Sequence, residues 1–166
     1  MKTFTVCTIL VFCCLAIGCG GWAYKVGTEN MLPTIQVGDI CLINKLDGSP
    51  IKRFDLIVFD SPEKDYANNI LLSRVVGLPN EEIEINNNQI FVNDKLIKED
   101  FEIMSVSDYL GNLPLSDFPK IKILDKHYFI LGDNRNNSWD SRYWKEPTIS
   151  GENIKGKVAK IVPTDK

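Results

Sequence analysis

Short apolar runs with a period of two, not 3.6, constrain this chain more than any other feature. They recur at Asp39 to Lys45, Leu56 to Asp60, Ile70 to Val76, Glu82 to Asn86, Gln89 to Asn93, His127 to Leu131 and Lys157 to Val162, each bounded by Gly, Pro, Asn or Asp. Successive side chains of a strand leave opposite faces, so the pattern predicts an all-β domain. Asn86-Asn87-Asn88, set between two alternating runs, predicts a hairpin turn, and Asn93-Asp94 leads into a further short strand at Leu96-Ile97. Glu102 to Lys120 alternates less and holds Gly111, Pro114 and Pro119, which predicts an excursion between strand pairs.

The amino terminus has a different character. Phe4 to Tyr24 is almost without charge and approaches the ~20 apolar residues that cross a bilayer. Lys2 and the terminal amine precede it, while Glu29 offsets Lys25 after it, so the positive-inside bias leaves the amino terminus in the cytoplasm and residues 25–166 outside. Two other readings stand beside an uncleaved anchor. The short apolar part ending in Gly18, Gly20 and Gly21 fits a cleaved signal peptide, and Leu15-Ala16-Ile17-Gly18-Cys19 resembles a lipobox with Cys19 as the lipidated residue. All three deliver the same domain to the outer face. The expected division is an anchor over 1–24 and one β domain over 25–166, long enough for a single core.

Composition narrows the partners and cofactors. A formal charge of -3 with no basic run argues against nucleic acid. Four of the five cysteines lie in the apolar segment, which leaves Cys41 alone in the domain as an expected core residue. One cysteine and one histidine, His127, cannot assemble a zinc site, so no metal or other cofactor is expected. His127 stands where an apolar run begins and reads as a strand-end residue, not a base.

The run Gly132-Asp133-Asn134-Arg135-Asn136-Asn137-Ser138-Trp139-Asp140-Ser141-Arg142 is not explained by core formation. Its turn formers and its Asp and Arg side chains describe a polar loop braced by charge-assisted pairs. It resembles the GDNRxNSxDSR loop of the type I signal peptidases, the S26-type Ser/Lys endopeptidases that remove signal peptides from exported proteins at the membrane. Three further segments match in order: Thr28 to Thr34 with Gly38-Asp39, Arg53 to Phe59 with Pro62, and Ser73-Arg74-Val75-Val76-Gly77-Leu78-Pro79. The resemblance implies a folded β-sheet or barrel domain behind one transmembrane helix, in the cytoplasmic membrane with the β domain outside.

Two positions depart from the family. Where it places the nucleophilic serine this chain has Asn30, and where it places the lysine base this chain has Ser73. A Ser/Lys mechanism needs a hydroxyl held against a neutral amine. Neither group is present, so the resemblance describes a non-catalytic relative whose neutral Asn30 and Ser73 face one another within direct or one-water hydrogen-bond reach. By the same resemblance Thr28 is the remnant oxyanion donor, and Val26 and Leu72 line a shallow pocket for small side chains. Arg74 meets Asp133, pointing away from the groove, and Ser138 takes the position that bonds the catalytic amine. Arg135, Asp140 and Arg142 brace the loop.

Three function classes follow. One is an inactive homologue that binds signal peptides or exported proteins, the second an active endopeptidase using Thr28 or Ser73, and the third an outward-facing structural domain.

Overall fold

The computed structural model of the chain describes residues 20–63, 69–87, 89–104 and 117–164. Among these residues eleven strands run in order: β1 (Trp22–Lys25), β2 (Ile40–Asn44), β3 (Leu56–Asp60), β4 (Ile70–Gly77), β5 (Glu82–Asn86), β6 (Gln89–Val92), β7 (Lys95–Leu96), β8 (Phe118–Lys122), β9 (His127–Leu131), β10 (Ile149–Ser150) and β11 (Ile154–Val162). They form a seven-stranded sheet ordered β1-β2-β11-β3-β4-β9-β10 and a four-stranded sheet ordered β7-β6-β5-β8. The all-β expectation holds.

Both faces of the larger sheet are covered, which is why β3 reads Leu-Ile-Val-Phe without a polar interruption. On one face Val58 packs with Val26, Met31, Ile35, Cys41, Ile43 and Leu72. On the other, Ile57 and Phe59 pack with Val75, Ile130, Trp144, Ile149 and Ile154. A third cluster joins the two sheets, with Val76, Phe129 and Leu131 meeting Ile83, Ile85, Ile90, Val92 and Ile123. Cys41 is buried in the first cluster as expected, and its burial pushes the thiol up to about 11, with the Asp39 carboxylate adding to the shift.

Turn chemistry sets the smaller sheet. Asn86 pairs with Gln89, so the Asn-rich turn is a two-residue hairpin loop with Asn87 at φ 49°. Asn93 and Asp94 both take positive φ, 50° and 62°, and fold β7 back onto β6. Asn and Asp tolerate that region better than other non-glycine residues.

Strands β1, β8 and β11 depart most from the sequence reading, and β10 was not read at all. Trp22 to Tyr24, joined there to the apolar segment, belong instead to β1 and pair with β2 from Trp22–Ile43 to Lys25–Ile40. Alternation over so few residues is indistinguishable from the end of an apolar run. β8 lies at the end of the expected excursion despite Pro119, which an edge strand accommodates. β11 starts three residues before its expected first residue, Lys157, because Gly156 carries the strand through a close approach: a Cβ there would sit 2.3 Å from the Asn44 carbonyl oxygen. The amino-terminal segment to residue 19, Cys19 included, and residues 105–116 of the excursion lie outside the described residues. Among the described residues no helix is long and apolar enough to cross a membrane.

Gly156 gives a direct test of this packing. Gly156→Ala should lose about 1–3 kcal/mol of unfolding free energy in a urea titration, because backbone lies in the way of the new methyl. Gly27→Ala, with nothing within 4 Å of its Cβ, should stay within about 0.5 kcal/mol.

Candidate functional site

β4 lies between β3 and β9, but the two neighbours cover different lengths of it. β3 pairs with residues 70–74, whereas β9 pairs only from Arg74 onwards, at Arg74–Leu131, Val75–Ile130 and Gly77–Phe129. Residues 70–73 therefore have no strand on their second side among the described residues. A groove of about 640 Å³ opens there, between Leu71, Leu72 and Ser73 on one wall and Asn136 to Trp139 with Tyr143 on the other, with Thr28, Glu29 and Asn30 completing it.

Arg74 sits one residue beyond Ser73 and serves the other face. Its Nε donates to Asp133 Oδ1 at 2.8 Å and its Nη2 to Oδ2 at 2.6 Å, a bidentate pair with Asp133 fully buried. Nη1 reaches the Phe54 carbonyl at 3.0 Å, and the guanidinium lies 3.8 Å from the centre of the Phe101 ring. Thr34 Oγ1 donates to Asp133 Oδ2 at 2.5 Å. Phe54 adopts φ 72°, a conformation a bulky residue takes at a cost of about 1–3 kcal/mol. Its amide bonded to the Val75 carbonyl at 2.7 Å and its carbonyl held by Arg74 offset that cost.

The rest of the loop closes on itself. Asp140 accepts from Arg142 Nε and Nη2, both at 2.8 Å, and from the Gly132 amide at 3.1 Å. Arg142 Nη2 also reaches the Arg135 carbonyl, and buried Arg135 donates to the Gly132 carbonyl at 2.9 Å and forms an ion pair with Glu99. Charged groups at this depth are tolerated because nearly every donor and acceptor has a partner. Met104 links a further segment to the loop, its amide bonding the Asp133 carbonyl and its carbonyl accepting from the Arg135 amide.

The loop is also tied to the first matched segment. The Asn134 amide donates to the Asn30 carbonyl at 3.0 Å, and the Asn134 and Asn137 side chains reach the Glu29 carbonyl and carboxylate, each at 3.1 Å. Gly132 permits the approach, since a Cβ on it would lie 2.5 Å from the Asn30 carbonyl oxygen and 2.3 Å from Ser138 Oγ. Ser138 Oγ is buried without a hydrogen-bond partner.

Asn30 and Ser73 both line the groove, but they are not bonded to each other. The Asn30 Nδ2 donates to the Leu72 carbonyl at 2.7 Å, one residue short of Ser73, and Thr28 Oγ1 donates to Asn30 Oδ1 at 2.7 Å. An amide side chain finds the strong backbone acceptor in preference to a hydroxyl. Ser73 Oγ makes no hydrogen bond among the described residues. Val26, expected beside Leu72 in the groove wall, is instead 3% exposed and packed in the core cluster that also holds Leu72. His127 stands at the start of β9, its Nδ1 donating to the Asp125 carbonyl at 2.9 Å, away from the groove.

Several groups went unread in the sequence. Thr34 carries a visible signal, a hydroxyl inside a matched segment. Glu99, Phe101 and Met104 carry none, because their meeting with the loop is a product of topology. Trp139 and Tyr143 stack at 5.4 Å on the groove wall, and Trp139 is 60% exposed.

The model of the family described as "Signal peptidase, peptidase S26" matches residues 1–162. The signal peptidase I of Bacillus caldolyticus is 36% identical over 144 residues, covering 81% of this chain and 75% of that protein. A "Probable signal peptidase I-2" of Synechocystis sp. is 31% identical over 128 residues, covering 74% of this chain but 55% of the relative's own length. A crystal structure of a signal peptidase I from Enterococcus faecalis V583 aligns with a TM-score of 0.52 at 26% identity, over 67% of this chain and 98% of that one. The chain belongs to the S26 signal peptidase family.

Proposed function

We propose that the chain is a non-catalytic, membrane-anchored member of its family that holds extended segments of exported proteins without cutting them. One observation carries the reading: the groove is lined by hydroxyls, amides, Leu71, Leu72, two aromatic rings and Glu29, with no lysine, arginine or histidine lining it among the described residues. A serine or threonine attacks a peptide only when a base takes its proton. Thr28, the strongest alternative nucleophile, spends its proton on the Asn30 amide oxygen, which is not a base at neutral pH. Ser138 supports the same reading. By the resemblance this hydroxyl would bond the catalytic amine, and here it is buried without a partner.

The bracing of the groove favours retained binding. A polar network of this kind keeps its shape whether or not chemistry follows, so an extended peptide can still lie against β4. For the anchor we propose Phe4 to Gly21, now that Trp22 to Lys25 are taken by β1. That length is near the short end of the ~17–25 residues that span a bilayer. The outward placement of the β domain follows from the charge asymmetry already described.

Two measurements test the proposal. Purified full-length chain in detergent should leave a preprotein bearing a signal peptide uncut over hours, since loss of one such residue in triad proteases already costs about 10⁶-fold in turnover. Cleavage at a small-residue site, abolished by Thr28→Ala or Ser73→Ala, would contradict it.

Repair is the sharper case. Asn30→Ser with Ser73→Lys should restore measurable cleavage, whereas either change alone should not, because hydroxyl and amine act as one unit. Ser73→Lys alone should also cost about 1–3 kcal/mol, burying an amine that has no partner. A double variant that folds but neither cleaves nor binds a signal-peptide analogue would favour the structural-domain reading.

A further inference from the structure

The hydrogen bonds on the uncovered side of β4 come from this chain's own side chains. In an antiparallel sheet the backbone groups of alternate residues point to alternate neighbours. The Val75 amide and carbonyl bond Asp55 and Phe54 on the β3 side, so Arg74, Leu72 and Ile70 turn theirs to the β9 side, the last two beyond the end of β9. Both carbonyls are occupied. Tyr24 Oη donates to Ile70 at 3.1 Å and Asn30 Nδ2 to Leu72 at 2.7 Å.

We infer that Asn30 caps the uncovered edge of β4, its carboxamide standing where the backbone of an added strand would bind, so that a peptide enters the groove only by displacing it. This deepens the proposed function and rests on its peptide-binding reading. A carboxamide is chemically a peptide unit, with one donor face and one acceptor face. Here the donor face meets the Leu72 carbonyl and the acceptor face takes the Thr28 hydroxyl proton. The orientation is fixed by chemistry, since a carbonyl only accepts and the atom facing Leu72 must therefore be the nitrogen.

The cap is built to swing and not to slide. The Asn30 backbone is tied down through the Asn134 amide on its carbonyl and the close approach of Gly132, so opening the edge is left to rotation of the side chain. Local side-chain bonds to backbone compete with strand pairing in just this manner. The inference assigns Asn30 a second consequence beyond the absence of a nucleophile, namely a weaker hold on any strand that adds at β4.

The test is calorimetric titration of the full chain in detergent with a synthetic leader peptide ending in Ala-Gln-Ala. Asn30→Ala should bind about three- to tenfold more tightly than the unaltered chain, the equivalent of one net hydrogen bond no longer displaced. Thr28→Val, which removes the brace but leaves the Nδ2 donor, should fall between them. Equal or weaker binding by Asn30→Ala overturns the cap while leaving the peptide-binding reading intact. Binding by none of the three proteins overturns that reading and the cap with it. An independent readout on the unaltered chain is amide hydrogen exchange. The Asn30 carboxamide proton facing Leu72 should be protected and lose protection when the peptide saturates the groove, and rapid exchange without peptide would overturn the cap on its own.

Discussion

The bidentate pair between Arg74 and Asp133 is the interaction on which the site's geometry depends. It gathers five pieces of chain that are distant in sequence: Thr34 and Asp133 by a hydroxyl bond, the Phe54 carbonyl and Phe101 ring around the guanidinium, and β4 itself. Because strand side chains alternate, pinning Arg74 to one face presents Ser73 to the other. Because Asp133 is pinned, its neighbour Asn134 is delivered to the Asn30 carbonyl. Such a pair adds little net stability against an apolar replacement, yet removing one partner strands a charge in a buried place. It specifies an arrangement more than it strengthens one.

Polar bracing holds the loop by itself. Asp140 with Arg142, and Arg135 with Glu99, satisfy one another and the loop backbone without reference to any reacting group. A substitution at position 30 or 73 leaves those bonds untouched. Beside that network the Ser138 hydroxyl is unpartnered and the Asn30 amide donates to the Leu72 carbonyl. The groove keeps its shape through bonds that do not involve Asn30 or Ser73 side chains.

Much of this was legible in the sequence, for definable reasons. Strands β3 and β9 begin and end where alternation and turn residues place them, and the Arg74 and Asp133 pairing followed from the matched segments. Where local pattern has no purchase, the reading fell short. β1 is four residues long and adjoins an apolar run, and β10 is two residues long, which is too short for periodicity to register. Val26 was placed in the groove by resemblance, but its side chain completes the core under β2 and β4. Asn30 and Ser73 do line one groove, but the Asn30 amide bonds the backbone acceptor at 72, which the sequence does not name as it names the side chain at 73. Glu99 and Met104 meet the loop through tertiary topology that no short motif encodes.

Whether one buried pair sets the position of the groove is read out by a double-mutant cycle on Arg74 and Asp133 in urea unfolding of the full chain in detergent. Arg74→Met and Asp133→Leu should each cost about 3–5 kcal/mol, since each leaves the other's charge buried alone. Together they should cost less than the sum of the two by about 2–3 kcal/mol or more. Strictly additive losses would show instead that the two side chains stabilise the fold independently and that the groove is held by something else.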